Sequence, residues 1–95
     1  VEVPEGYEMQ IRPKSGLAIK QGITVLNSPG TVDAGYRGEI MIMLINQGSK
    51  DVIVEKNSKV GQGIINKIEQ VQFKETTSLS NSSRGKGGFG STGLK

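Results

Sequence analysis

Three glycine-punctuated segments of the chain combine small residues with a few charged, hydroxyl-bearing or aromatic side chains. They are RPKSGLA at residues 12–18, GTVDAGYRGE at residues 30–39 and RGKGGFGSTG at residues 84–93. Because glycine has no Cβ, such segments let backbone N–H groups come close to phosphate oxygens. With cations and an aromatic face beside them, they indicate a small phosphorylated ligand.

The third segment carries the most complete set of groups for such a ligand. Arg84 can bind a phosphate through two parallel hydrogen bonds, and the hydroxyls of Ser91 and Thr92 can donate. Phe89 offers a face on which a nucleobase can stack. Taken alone, however, the segment is more typical of a solvated Gly/Ser linker.

The other two segments carry one reactive group each. Asp33 follows an apolar strand and precedes a turn, where a carboxylate can orient and deprotonate water or simply cap the turn. Tyr36 can form a stacking platform or pack against neighbours. Lys14, Ser15 and Gly16 open a predicted helical turn whose free N–H groups attract anions, a weak signal when taken singly.

Composition excludes several kinds of chemistry. The 95 residues include no His and no Cys, which rules out a Ser-His-Asp triad, a cysteine nucleophile and the usual zinc sites. Residues 1–73 carry eight basic and eight acidic side chains, so the net charge of +3 comes entirely from residues 74–95. A chain that is electrically neutral over residues 1–73 and cationic only in its short C-terminal tail is better suited to bind a small polyanion than a DNA duplex.

The length allows one domain with a thin core, since only 34% of the residues are hydrophobic. We therefore expect partner subunits to complete the burial. No apolar run approaches the ~20 residues of a membrane span, and no secretory leader is visible, so a cytoplasmic location is expected. Because residue 1 is Val, we expect a processed or truncated product.

Short apolar segments separated by turn residues predict an all-β sandwich or barrel. A helical turn capped by Ser15 is expected at residues 15–18. Turns are expected at residues 27–30, where Gly30 permits a positive φ, and at residues 47–50 and 57–59. The predicted strands are Tyr7–Ile11, Ile23–Leu26, a continuously buried Glu39–Asn46, a half-buried Asp51–Lys56, and Ile64–Phe73. The apolar spacing of the last segment fits a helix about as well, and its β-branched residues with the flanking Gly61 and Gly63 favour a strand.

In their order and spacing, these segments resemble the motifs of the trimeric dUTP diphosphatases (dUTPases). The family's second to fifth motifs are matched by RPKSGLA, GTVDAGYRGE, KVGQGI and RGKGGFGSTG, and the likeness runs from PEGY at residues 4–7 to Gly93. The family's first motif, an AGYDL-like segment, is expected upstream of Val1. Lys14 stands where the family usually has Arg, and Lys59 and Gly61 replace its usual Arg and Ala.

The resemblance implies a jelly-roll-like β-barrel or sandwich of the dUTPase type. Residues 1–75 would form its core, and residues 76–95 a flexible Gly-rich C-terminal arm. It also implies a homotrimer whose active sites are built from several chains, with the fifth motif closing each site from a third subunit.

The implied reaction is hydrolysis of dUTP to dUMP and pyrophosphate by water attack on the α-phosphorus. This reaction keeps uracil out of DNA and supplies dUMP for thymidylate synthesis. Mg²⁺ would be bound mainly through the triphosphate and water, with no metal ligands assigned to the chain. Neither a stable nucleic-acid complex nor a membrane partner is expected.

By resemblance, Asp33 corresponds to the residue that orients the attacking water. The other matched positions face the substrate: the uracil-reading segment supplies Asn27, Gly30, Thr31 and Val32, Tyr36 packs on deoxyribose, and Met41 lines the pocket. The phosphate-facing positions are Lys14, Ser15, Gly16 and Gln62, and the lid positions are Arg84, Phe89, Gly90, Ser91 and Thr92.

Two other functions remain open at this point. One is an inactive structural or regulatory fragment of the same fold, which the absence of the first motif favours and the presence of Asp33 opposes. The other is a single-stranded nucleic-acid-binding module that uses the Gly/Arg tail, which the balanced charge of residues 1–73 opposes. A deaminase of this fold fits less well, because such deaminases lack the Phe-Gly-Ser-Thr tail.

Overall fold

The computed structural model describes residues 1–94, which form five strands and one short helix. Their order is β1 (Tyr7–Pro13), α1 (Ser15–Gln21), β2 (Ile23–Val25), β3 (Gly30–Val32), β4 (Leu44–Asn46) and β5 (Gly61–Lys67). The predicted all-β class is confirmed. None of the helical structure in residues 1–94 is long and apolar enough to cross a bilayer.

Strand β1 is the centre of the larger sheet, in which the order is β3-β1-β5 and both pairings are antiparallel. In this sheet Ile11 lies opposite Gly30 on one side and Gly63 on the other. The second sheet is the antiparallel pair β2-β4. Pairing with β1 therefore sets the register of both neighbouring strands, at residues 30–32 and 61–67.

The core is small. Its buried cluster consists of Val3, Ile11, Val25 and Val32, and the partly buried side chains packed against it are Met9, Ile40, Ile42 and Leu44. The radius of gyration is 19.0 Å, whereas a compact domain of this length has a value of about 12 Å. A single chain therefore encloses little apolar volume.

The helix differs from the predicted single turn capped by Ser15. Lys14 is the N-cap residue, without a side-chain capping bond in the described structure, and Ser15 is already helical. The helix continues for seven residues until Gly22, whose φ of 72° is left-handed and whose N–H donates to the carbonyl of Ala18 at 3.0 Å. The glycine at the C-terminal end determines where the helix stops.

Three strand predictions need correction. The segment Glu39–Asn46 is not a continuously buried strand: only Leu44–Asn46 is paired, and exposure alternates along the run. The segment Asp51–Lys56 pairs with no strand in the described part of the chain. The last strand begins at Gly61 and ends at Lys67, earlier at both ends than the predicted Ile64–Phe73.

The C-terminal segment lies outside both sheets. Residues 69–94 are exposed and contain neither helix nor strand. Local turns form within the Gly-rich part, where the N–H groups of Gly87, Ser91 and Gly93 each donate to the carbonyl three residues earlier at 2.9–3.1 Å. Lys95, the last residue of the predicted arm, lies outside the described residues.

Candidate functional site

A pocket of about 380 Å³ lies beside β3, between the larger sheet and the segment that leads into β4. A pocket of this size can hold a small organic ligand. Its lining includes seven of the residues predicted to form the site: Asn27, Gly30, Thr31, Val32, Asp33, Tyr36 and Met41. All seven come from one stretch of 15 positions, so local chain folding alone brings them together.

Gly30 allows the close packing of this pocket's wall. A Cβ at Gly30 would lie 3.2 Å from Cβ of Ile11 and 3.5 Å from the side-chain nitrogen of Asn27. The positive φ that a glycine permits is not used at Gly30, because this residue begins β3 and its φ is outside the left-handed region. Its missing side chain instead lets β3 approach β1 and leaves room for the Asn27 amide.

Asp33 follows immediately after β3 and lies at the start of a turn. Its backbone carbonyl accepts a hydrogen bond from the backbone N–H of Tyr36 at 3.1 Å. The residue is exposed and lines the pocket. The backbone of Asp33 therefore stabilises the turn, and its carboxylate stays available to a ligand or a water molecule.

Tyr36 is held by its hydroxyl as well as by this turn. The phenol donates to the carbonyl of Glu39 at 2.6 Å, and the residue remains 38% exposed. The next residue, Arg37, donates to the Ala34 carbonyl at 2.7 Å and pairs with Glu2 at 3.0 Å. Both ion-pair partners are exposed, so the pair adds at most about 1 kcal/mol to stability, and the turn depends mainly on its own hydrogen bonds.

The predicted phosphate-facing residues form a separate group at the end of β1. Gln62 lies opposite Arg12 in the β1–β5 ladder, and its side-chain N–H donates to the carbonyl of Pro13 at 3.2 Å. Lys14, Ser15 and Gly16 follow Pro13 directly. The ladder therefore brings residues 14–16 and Gln62 together across 46 positions of sequence, but none of these four lines the pocket.

The structure does not bring the predicted lid residues to the pocket. Phe89 is fully exposed, and Arg84 donates to the carbonyl of Gly87 at 2.8 Å within its own turn. Gly90 has a left-handed φ of 78°, which glycine adopts without strain. Ser91 and Thr92 are exposed.

Sequence reasoning missed six residues that line the pocket: Ile11, Val25, Glu39, Ile40, Ile42 and Met43. The run EIMIM is predicted as part of a buried strand, and the motif resemblance assigns only Met41 of this run to the site. The period of two in a strand would have indicated that Glu39 and Met43 share a side with Met41, and all three are exposed.

Carboxylates are sparse around the pocket. Asp33 and Glu39 are the acidic residues in its lining. Across residues 1–94, His, Cys, Asp and Glu side chains do not gather in any group of three or more that could hold a metal ion. This donor set suits a Mg²⁺ bound mainly by phosphate oxygens and water rather than by a protein cage.

Comparisons with known proteins agree with the motif pattern. The family model for dUTPase matches residues 1–93. The deoxyuridine 5'-triphosphate nucleotidohydrolase of Rickettsia prowazekii is 60% identical over 94 residues, which are 99% of this chain and 64% of that protein. The protein of the same name from Clostridium tetani is 61% identical, covering 98% of this chain and 64% of its own length. The chain thus spans a little under two thirds of these relatives.

A solved structure supports the same fold. The dUTPase of Staphylococcus bacteriophage 80alpha, determined with dUPNHPP, superposes with a TM-score of 0.81 at 26% identity. The match covers 98% of this chain and 70% of the phage protein.

Proposed function

The chain belongs to the dUTPase family, and from this premise we propose that the full-length protein hydrolyses dUTP to dUMP and pyrophosphate by water attack on the α-phosphorus. One observation carries the proposal. The pocket beside β3 is lined by the carboxylate residue Asp33, the aromatic residue Tyr36 and the polar edge of the strand. These groups are suited to orient a water molecule, a sugar and a base, respectively.

The base would be read by the segment from Asn27 to Val32. In this proposal the Asn27 amide and the backbone of residues 30–32 bond the polar edges of uracil, since backbone N–H and C=O groups are obligatory hydrogen-bonding partners. Gly30 and Ile11 pack closely at this side of the pocket. In this proposal, the space beside them is too small for the methyl group of thymine. Met41 would contribute an apolar contact on the opposite side.

Catalysis would depend on position and charge rather than on a covalent intermediate. Asp33 would orient the attacking water and accept its proton, a role that needs a carboxylate within hydrogen-bond reach of that water. The exposed surface of Asp33 in the pocket supports this assignment. Holding water and phosphorus in line removes much of the entropic barrier.

The triphosphate would be bound by Lys14, Ser15, Gly16 and Gln62. Gln62 supports this group from β5 through its bond to the Pro13 carbonyl, and Lys14 adds a positive charge. When bound, Mg²⁺ would neutralise charge on the triphosphate, held mainly by phosphate oxygens and water. Arg84, Phe89, Gly90, Ser91 and Thr92 would close over the nucleotide as a lid.

Residues 1–75 would act as the core and residues 76–95 as the arm that carries this lid. Residues 76–94 are all exposed, which supports their assignment to the arm. An exposed arm can reach a neighbouring chain.

Replacing Tyr36 with Ala should raise KM for dUTP and narrow the preference for dUTP over UTP. The ring stands at the pocket wall with its hydroxyl fixed to Glu39, where it would pack on deoxyribose and exclude a 2′-hydroxyl. The measurement is kcat/KM for the two nucleotides. An unchanged ratio would show that Tyr36 only packs and that another residue guards the 2′ position.

The protein should behave as a homotrimer in solution. The small core and the separation of the phosphate-facing group from the pocket support sites completed between chains. Light scattering coupled to size exclusion should give three times the mass of one chain. A stable, active monomer would contradict the composite site.

The direct test of the proposed function is a pyrophosphate-release assay on the full-length protein. We expect rapid release from dUTP and much slower release from UTP, dTTP and dCTP. Equal release from all four would indicate an unselective nucleoside triphosphate pyrophosphohydrolase, and no release would favour an inactive member of the fold. Oligonucleotide affinity that rises with length and falls steeply with salt would indicate a single-stranded nucleic-acid-binding module instead.

A further inference from the structure

Gly38 is the glycine whose missing side chain leaves room for the ring of Tyr36. A Cβ built at Gly38 would overlap the Tyr36 hydroxyl and would lie 2.6 Å from Cζ and 2.8 Å from Cε1 of the same ring. Cβ contacts shorter than 3.0 Å are essentially never tolerated, so any side chain at position 38 forces a neighbour to move.

The atoms nearest to the added Cβ belong to a side chain that can move. The three atoms nearest to the added Cβ are all in the Tyr36 side chain, and the ring is 38% exposed. It can therefore swing towards solvent by rotating about its side-chain torsions. The backbone turn that holds Tyr36, from its N–H to the Asp33 carbonyl, does not need to change.

We propose that Gly38 is a positioning residue that holds the Tyr36 ring against the pocket wall and so sets the selection of deoxyribose over ribose. The proposal rests on the proposed function, because sugar selection presupposes a nucleotide in the pocket. Gly38 lets the phenol fold back over residue 38 and reach the Glu39 carbonyl. With a side chain at position 38, the ring would lose that hydrogen bond and its place at the wall.

The expected signature is a change in selectivity without a change in fold. Gly38→Ala should raise KM for dUTP and leave kcat at saturation nearly unchanged, because Tyr36 would contact sugar rather than the reacting phosphorus. The ratio of kcat/KM for dUTP to that for UTP should fall by roughly tenfold, the lower end of what a shape-selective contact supplies. The thermal midpoint should stay close to that of the wild type.

Gly35→Ala is the matched control, since a Cβ at Gly35 meets no atom of the described chain within 4 Å. It lies in the same turn and adds the same methyl group. Its nucleotide selectivity should equal that of the wild type.

A double-mutant cycle then separates positioning from a general backbone effect. If Gly38 acts through the ring, Gly38→Ala should add nothing in a Tyr36→Ala background, because interacting residues are non-additive. The double variant also relieves the overlap, so it folds even if Gly38→Ala alone does not. Additive losses, or unchanged selectivity in Gly38→Ala, would overturn the proposal.

Ring NMR makes this test independent of turnover. The ring signals of Tyr36 are identified as those that disappear from the full-length protein in Tyr36→Phe. They should shift in Gly38→Ala and stay in place in Gly35→Ala. If the wild type does not hydrolyse dUTP, the proposed function fails while these signals still decide whether Gly38 positions Tyr36. Unshifted signals in Gly38→Ala would contradict the positioning role.

Discussion

Asp33→Asn is expected to lower kcat for dUTP by 10²–10⁴-fold in the full-length enzyme, the range typical of a general base. That loss corresponds to roughly 3–5 kcal/mol of barrier. Asparagine keeps the size and hydrogen-bonding reach of the side chain but cannot take up the proton of the attacking water. Substrate affinity should change little, because Asp33 would contact water rather than the nucleotide.

The structure separates this effect from unfolding. The hydrogen bond that stabilises the turn uses the backbone carbonyl of Asp33, which the substitution retains. Asp51→Asn is the control, since Asp51 is an exposed carboxylate that does not line this pocket. Single-turnover rates with thermal midpoints would settle the comparison. A fall in kcat smaller than about threefold for Asp33→Asn would remove the catalytic assignment.

Deleting residues 84–95 is expected to abolish turnover while the trimer remains intact. Residues 84–94 are exposed and contribute nothing to the buried cluster, so their removal costs no core packing. What is lost is the cation, the hydroxyls and the aromatic face that would close over the nucleotide. If the deletion dissociates the trimer, the segment is a structural arm instead.

Closure of the arm should require base and triphosphate together. Ordering ten residues costs on the order of 10–20 kcal/mol of backbone entropy at ~1–2 kcal/mol each. Stacking of Phe89 on a base returns about 1–3 kcal/mol, and a charge-assisted bond from Arg84 returns a similar amount. No single contact offsets the cost, so a ligand with half of the contacts should close the arm only in part.

Backbone amide NMR of residues 84–93 measures this closure. The amides should be unprotected without ligand, become protected with a non-hydrolysable dUTP analogue, and shift only in part with dUMP. Phe89→Ala should weaken the protection, whereas Leu94→Ala, an equally exposed side chain beyond the motif, should not. Full ordering by dUMP alone would show that the triphosphate does not drive closure.

Local sequence patterns predicted β1 and β2. The alternation of residues 7–11 indicated β1, and the apolar residues 23–26 indicated β2, because period and turn residues are local properties. The helix was predicted too short because Gly22 was not recognised as its C-terminal stop. Too many residues of Glu39–Asn46 and Asp51–Lys56 were predicted as strand. Apolar content indicates that a segment is buried, but it does not identify the strand with which the segment pairs.

The predicted site residues also form two groups, one brought together by local sequence and one brought together by strand pairing. The predicted site residues between positions 27 and 41 line one pocket, since a turn, a short strand and a second turn connect most of them. Gln62 and residues 14–16 meet only through the β1–β5 register, which composition cannot reveal and which the motif resemblance supplied. The position of the arm over the pocket stays a prediction, because Phe89 and its neighbours are exposed in the structure.

The most direct test of the account is hydrolysis of dUTP in ¹⁸O-labelled water by the full-length protein, with the products analysed by mass spectrometry. Attack at the α-phosphorus predicts one labelled oxygen in dUMP and unlabelled pyrophosphate. Label in the pyrophosphate would place the attack at the β-phosphorus and contradict the assignment of the water held by Asp33. Absence of turnover in a folded trimer would contradict the proposed activity itself.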